Sequence, residues 1–420
     1  MLKSILRTAT FKQSTVTFAG TVINGVLGAL FYISVARILG PVGNGLLTIA
    51  TVTLTLISDM ADIGTNTGLI RFVSPNLAGD KDKAMRFLKL SLEIKLVVWL
   101  VSFLIFFSLS PTIAIHFFHK PELILPFRLV AVGVGGALLF SFATSTLQTF
   151  QKYFLWSSIN IFTNLLRLLF ILFLGYTLTA NVQTSLFVYI LFPFFGFFIA
   201  LFILPTRQII SARRETTLAK ELFAYNVPVA IFTVISAFSA RLDTYLTANL
   251  LSIREVGIYG AATQLNQVMP QLVSAIGLVA APKFAGFHTN QQMLTYMKKL
   301  QILVGGLCFI GLLVIPVASY LIPVIYGVSY QEAVWPFIFI FLAMLVFLFS
   351  VPIHNSIIFY FSRPDVFIRV AIGHLLIIGG LGYLLISNFG IVGASITVLI
   401  GTTFNFIYPL IWMLIKLNNN

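Results

Sequence analysis

"NIFTNLLRLLFILFL", residues 160–174, lies inside an apolar run from about 155 to 178 whose only charge is Arg167. A helix of about 20 such residues, rising 1.5 Å each, crosses the hydrocarbon core of a bilayer. Reading this run as a span decides the class of the whole chain. Of 420 residues, 59% are hydrophobic and 9% charged, whereas soluble proteins carry about 25% charged residues. Comparable runs fall at roughly 14–38, 45–70, 90–110, 126–149, 154–178, 183–205, 224–250, 257–281, 300–323, 334–360, 367–387 and 391–416. Twelve spans joined by short linkers leave no room for a soluble domain. The first run follows Lys3, Arg7 and Lys12 and is too long for a signal-peptide core, so it reads as a retained span. The single cysteine, Cys308, forms no disulfide within the chain.

Orientation follows from the Lys and Arg of short loops. Of the 26, 19 fall on the side of the N-terminus. Four, Arg37, Lys120, Arg128 and Arg254, fall on the other side, and Lys95, Arg167 and Arg241 lie within spans. The bias predicts cytoplasmic N- and C-termini in a multi-pass cell (inner) membrane protein. It also accounts for most of the +14 net charge without nucleic-acid binding; the bilayer's anionic lipid attracts the same charges.

The two halves share weak internal similarity. "VARILGPVGNGLLTIA" (35–50) aligns with "TANLLSIREVGIYGAA" (247–262), and "RFLKL" (86–90) with "YMKKL" (296–300). At the latter offset Glu122 meets Glu332 and Pro126-Phe127 meets Pro336-Phe337. The expected organisation is an N-lobe of helices 1–6 over 1–206, a cytoplasmic linker over 207–221 and a C-lobe of helices 7–12 over 222–420. An even number of spans per half makes the copies parallel, a pattern typical of transporters with a site near midplane.

Several spans carry polar stripes. Ser157, Asn160, Thr163, Asn164 and Arg167 share one face of the fifth span at 100° per residue. Thr48, Thr51, Thr55, Ser58, Asp59, Asp62, Thr65 and Asn66 do so in the second. Gln264, Gln267, Gln271 and Ser274 line the eighth, and Ser141, Thr144, Ser145 and Gln148 the fourth. Polar side chains cannot face lipid without partners, so these stripes face protein or a water-filled interior. Ser and Thr alone could be interhelical glue; the acids, Asn66 and the glutamines exceed that need.

Arg167 lies about 11 residues beyond Trp156, or ~16 Å, too deep to snorkel comfortably. A charge there costs at least about 2.5–3.5 kcal/mol. Either an internal carboxylate offsets it, with Asp62 or Asp59 the first candidates, or an aqueous cavity awaits an anion. Arg241 and Asp243 are two apart in the seventh span and do not face each other on a helix. Lys89, Glu93 and Lys95 read as a charged cluster at the inner surface, with Lys89 and Glu93 at i,i+4 spacing. Segments 73–87 and 284–297 read as amphipathic connectors. His354 and His374 read as satisfied buried histidines, although His374 aligns with Asn164 and could line the cavity. The five histidines form no metal-ligand cluster. No P-loop and no catalytic constellation is present, so an enzyme, such as a membrane-embedded glycan polymerase or transferase, is disfavoured. A non-transporting scaffold would leave the polar stripes unexplained.

The stretch "ARILGPVGNGLLTIATVTLTLISDMADIGTNTGLIRF" (36–72) resembles the start of polysaccharide flippases of the O-antigen, Wzx-like type. There an A-R-x-L-G-P-x-x-x-G turn joins helices one and two, and an Asp-x-Gly stretch and Arg-Phe follow, matched by Asp62, Gly64, Arg71 and Phe72. The family shares a superfamily, MOP, with multidrug-and-toxin exporters and lipid II flippases. The resemblance implies an all-α fold of twelve transmembrane helices in two six-helix lobes, MATE-like and V-shaped. It implies alternating-access transport of undecaprenyl-diphosphate-linked oligosaccharide to the outer leaflet, for O-antigen, capsule or exopolysaccharide synthesis. Polymerase and chain-length machinery would be further partners. Under this reading Arg167 and Arg241 bind diphosphate. Asn160, Asn164, Gln264, Gln267 and Gln271 bind sugars, and Asp62 or Asp243 takes a coupling H+ or Na+. No other cofactor is expected. The alternative within the superfamily is a cation-coupled multidrug exporter. Such exporters typically carry an acid in helix one or seven; helix one has none, Asn24 being its most polar interior residue, and Asp243 keeps the option open.

The charge bias is testable by cysteine accessibility in a Cys308→Ser background. Arg213→Cys should resist an impermeant reagent added to intact cells, and Glu332→Cys should react. Labelling of Arg213→Cys from outside would reverse the orientation.

Overall fold

The computed structural model describes residues 9–418; Lys3, Arg7 and Asn420, on which part of the orientation argument rests, lie outside them. Helices account for nearly all of the described chain and no strand occurs among those residues. Nine helical stretches among them are long and apolar enough to cross a membrane. Two run for 46 and 53 residues, Val16–Ala61 and Val366–Asn418, and each is more than one crossing needs at 1.5 Å per residue. Each of these two stretches therefore joins two of the expected spans across a kink.

Helix α1 (Ala9–Ala61) carries the first two expected spans and turns at Gly40, where φ is 67° and ψ −179°. Only glycine takes this conformation at no steric cost. Pro41 follows, with no N–H to leave unsatisfied where the helix restarts. The last long helix repeats the device at Gly390, with φ 57° and ψ −138°. The flanking sequences are Gly40-Pro41-Val42-Gly43 and Gly390-Ile391-Val392-Gly393.

By contact the chain divides into two compact units, residues 1–39 with 46–238, and residues 40–45 with 239–420. Residues 207–238 belong to the first unit. In that unit α1 ends at a break, Asp62–Gly64, before α2 (Thr65–Gly79). The helices α3 (Lys81–Thr112), α4 (Ile124–Thr149), α5 (Tyr153–Tyr176) and α6 (Val182–Ile203) follow. The expected amphipathic connector 73–87 consists of the end of α2 and the start of α3. Asp80 ends α2 and caps α3, its carboxylate accepting from the Lys83 N–H at 2.9 Å. Helix α4 is buried on several faces because its glycines admit neighbours closely. Trp99 lies against Gly135, Phe194 against Gly136, and Leu54 and Ile190 against Gly133.

Lys89 and Glu93 do not pair. Both hold the segment after the short helix α7 (Thr206–Ser211) against α3. Lys89 donates to the Ile210 and Ala212 carbonyls at 2.8 and 2.7 Å, Glu93 pairs with Arg214 at 2.9 Å, and Arg86 pairs with Glu215 at 2.7 Å. The Thr217 hydroxyl and the Arg86 guanidinium hold the Glu215 carboxyl below its usual range. Helix α8 (Thr216–Ser239) completes this unit to residue 238.

In the second unit the seventh expected span is broken at Ala240–Arg241, so α9 (Leu242–Leu250) is a separate helix. The eighth is likewise divided at Gln267 into α10 (Ile253–Asn266) and α11 (Val268–Ala285). The chain continues through α12 (Asn290–Leu312), α13 (Ala318–Tyr326), α14 (Val334–Asn355), α15 (Val366–Leu376) and α16 (Gly382–Asn418). Both intramembrane histidines are satisfied: His374 Nδ1 lies 2.8 Å from Ser239 Oγ and His354 Nε2 lies 2.9 Å from the Asn405 carbonyl. Residues 40–45 pack on α10, where Asn44 donates to the Gly257 carbonyl at 2.8 Å.

A Cβ on Gly257 would overlap the Pro41 carbonyl oxygen, whereas one on Gly306, in α12, would meet nothing. Gly257→Ala should lower the thermal midpoint of detergent-purified protein by about 5 °C or more. Gly306→Ala should leave it unchanged or raise it slightly. Equal midpoints for the two variants would contradict this packing.

Candidate functional site

The break between α1 and α2 is strained. Ile63 has φ 47° and Gly64 φ 68°, and a β-branched residue in the left-handed region costs energy. Asp62 compensates by capping the first turn of α2. Its Oδ1 accepts from Thr65 Oγ1 at 3.0 Å and its Oδ2 from the Asn66 N–H at 3.3 Å. Its carboxylate also accepts from Lys95 Nζ, an ion pair whose lysine side chain is 0% exposed and whose aspartate is 16% exposed. Lys95 Nζ donates to Ser141 Oγ on α4 at 3.1 Å, and Asn66 Nδ2 donates to the same hydroxyl at 3.3 Å. One ion pair and one serine thus join α1, α2, α3 and α4.

Lys95 corrects the expected surface cluster. It lies two residues deeper than Glu93 along α3, inside the protein. Charges in a membrane interior almost always face the bundle interior and pair, and the only signal in the sequence was that Lys95 lay inside an apolar run with no acid at helical spacing. Its partner is 33 positions away.

Beside the pair lies a cavity of about 300 Å³, lined by residues from α1, α2, α4, α5 and α6. Asp59, Asp62, Asn66, Ser141, Thr144, Asn160 and Arg167 give it its polar wall, and Leu54, Phe140, Tyr189 and Pro193 its apolar one. Of the residues given a binding or coupling role from sequence, Asp62, Asn160 and Arg167 meet here, together with Thr55, Ser58, Asp59 and Asn66 of the second-span stripe and Ser141 and Thr144 of the fourth. Asn160 spends its amide N–H on the Trp156 carbonyl, 2.8 Å away. Asn164 is the next link: its Nδ2 donates to Asn24 Oδ1 and its Oδ1 accepts from Arg167 Nη1 at 3.0 Å.

Arg167 is held by neutral groups. Nη2 donates to the Tyr189 carbonyl at 3.2 Å, and the guanidinium lies over the rings of Tyr189 and Phe31, 4.3 and 5.7 Å from their centroids. Its Nε has no hydrogen-bond partner among the described residues. Of the expected carboxylate partners, Asp62 is taken by Lys95, and Asp59, which lines the same cavity, makes no ion pair with Arg167 among the described residues. Cation–π contact offsets about 0.5–2 kcal/mol per ring but leaves the positive charge formally unbalanced.

The second-unit candidates are dispersed. Arg241 occupies the break before α9, and Asp243, in the first turn of that helix, is buried and accepts from the Tyr259 hydroxyl of α10. Gln264 is buried, but Gln267 and Gln271 are exposed. The expected stripe of glutamines assumed one straight helix, and the backbone breaks within it at Gln267.

Lys95→Met should strand the Asp62 carboxylate, costing about 3–5 kcal/mol as for any buried pair cut on one side. Adding Asp62→Asn should restore most of the lost thermal stability. If Lys95→Met alone is as stable as the parent, the pair does not hold these helices together.

A family model described as polysaccharide biosynthesis protein matches residues 10–288. No curated protein matches the chain. Among solved structures, the chain is similar to an inward-facing multidrug resistance MATE family transporter of the MOP superfamily. That likeness has 13% identity and a TM-score of 0.74, over 97% of this chain and 98% of the other. It is also similar to the lipid II flippase MurJ in an inward closed conformation, at 15% identity and a TM-score of 0.74, over 96% and 87%. The fold is therefore that of a multi-pass membrane transporter, and these neighbours are a transporter and a flippase, not catalysts.

Proposed function

The chain belongs to the polysaccharide biosynthesis protein family, and from that premise we propose that it flips undecaprenyl-diphosphate-linked oligosaccharide from the cytoplasmic to the outer leaflet of the cell membrane. The observation that carries this reading is the cavity of the first unit, into which Arg167 brings a positive charge balanced by no bonded carboxylate among the described residues. A guanidinium presents a fork of donors matched to phosphate oxygens. The Nε left without a partner is one such donor. Asn66, Asn160, Ser141 and Thr144 offer the hydroxyl and amide groups that sugars bind, and the lipid tail can remain in the bilayer. The expected second-unit residues, Arg241, Gln264, Gln267 and Gln271, would extend recognition of the glycan. The termini would be cytoplasmic, with polymerase and chain-length machinery as partners.

With no nucleotide-binding motif, the drive is an ion gradient or removal of the product. A coupling H+ or Na+ would act at Asp243, whose bonded partner at Tyr259 is a neutral phenol, in preference to Asp62, which already holds an ammonium. A cation-coupled multidrug exporter is the rival reading, kept open by the acid Asp243 in the seventh span.

Deletion of the gene should cause lipid-linked glycan to accumulate on the cytoplasmic face. Complementation with Arg167→Ala should reduce surface glycan at least about tenfold, as expected for loss of a charge-assisted contact made to the substrate, with unchanged protein level and thermal midpoint. Arg167→Lys should keep part of the activity. An Arg167→Ala protein that displays full glycan defeats the diphosphate role, and drug sensitivity without glycan accumulation in the deletion strain would favour the exporter.

A further inference from the structure

Lys95 Nζ occupies a position built like a cation site. It bonds the Asp62 carboxylate and lies 3.1 Å from Ser141 Oγ, whose hydroxyl also lies 3.4 Å from Asn66 Oδ1. Thr65 Oγ1 is 3.0 Å from the same Asp62 oxygen that Lys95 contacts. Carboxylate, amide carbonyl and hydroxyl oxygens are the donors from which proteins make sites for hard cations. The site is dry on the α3 side, where Lys95 is fully buried, and open on the other, where Asp62 faces the cavity. A mobile ion could therefore reach this carboxylate if the ammonium were absent.

We propose that Lys95 is a tethered counter-cation that fills a latent Na+ position at Asp62, so that the first unit carries its own cation and takes none from solution. The ammonium hangs from α3 and cannot leave, whereas a free ion would exchange at each cycle. The break at Ile63–Gly64 then stays capped whatever the salt outside. This inference rests on the charge and geometry of the first unit and not on the identity of the cargo.

The groups that face Asp62 are Lys95 of α3, Ser141 of α4, and Thr65 and Asn66 of α2. Asp59, Arg167 and Tyr189 share its cavity. The test compares thermal midpoints of purified parent, Lys95→Met, Asp62→Asn and the double variant. Each is measured in NaCl and in choline chloride of equal ionic strength, at mildly alkaline and mildly acid pH. Lys95→Met should gain about 3 °C from Na+ over any gain of the parent, the size expected for a ligand well above its dissociation constant. The double variant should lose that increment. Lys95→Gln, which keeps a hydrogen-bonding side chain, serves if Lys95→Met cannot be purified. A Lys95 variant with no extra response to Na+ overturns the proposal, as does one stabilised only by acid, which would mean that the carboxylate takes a proton. A Na+ response of the parent that Asp62→Asn abolishes also overturns it, since Asp62 would then bind free Na+ despite Lys95.

Discussion

The Asp62–Lys95 ion pair closes across a break between two helices, where backbone groups must find partners without water. Hydrocarbon supplies no hydrogen-bond partner, so backbone freed by a break must be satisfied by protein. Asp62 does this twice, its carboxylate accepting from the Asn66 N–H and its carbonyl from the Thr65 N–H, while Ile63 and Gly64 take left-handed conformations. A carboxylate used in this way carries a charge into the interior, and Lys95 removes it. The cavity wall follows from that arrangement. Because α1 stops and restarts here, Asp59 and Asp62 and then Asn66 can meet Ser141 and Thr144 of α4 around a shared space.

With Asp62 neutralised, Arg167 is left with neutral company: an amide oxygen, a carbonyl and two aromatic faces. These position a guanidinium without cancelling it. The difference between the two cations is one of access. Lys95 is sealed behind its partner, whereas Arg167 lines the cavity, and only the second can meet a ligand without a rearrangement of α3.

Much of this could be read from residue order alone. Apolar runs marked the spans, and the fifth-span stripe placed Asn160 and Arg167 on the face that does line the cavity. Gly40-Pro41 marked the turn between the first two. What a straight helix cannot represent was not legible. The second-span stripe does reach the cavity, through Thr55, Ser58, Asp59, Asp62 and Asn66, but the changes of backbone direction at Ile63–Gly64 and Gln267 do not appear in a projection at 100° per residue. Pairing failed for a related reason. Lys89 and Glu93 have the spacing of a helical pair, yet both bond to the segment after α7, more than a hundred residues away. Helical spacing says which residues can meet on one helix, and it is silent on a neighbour that offers a better partner.

The two buried carboxylates show how partner chemistry sorts roles that residue type cannot. Asp62 lies in the break before α2 on the polar wall of the cavity, and Asp243 is buried in the first turn of α9 after the break at Arg241. Neutralising Asp62 would strand the Lys95 ammonium, exchanging one unpaired charge for another, and a buried charge without its partner is costly. Asp243 is bonded instead by the Tyr259 hydroxyl. A phenol can donate to a carboxylate or accept from a carboxylic acid, so that site can change its charge without abandoning its partner. On the proposed function, the first unit keeps its charge fixed while offering Arg167 to an anion, and a coupling cation would act at Asp243, whose bonded partner at Tyr259 is a neutral phenol.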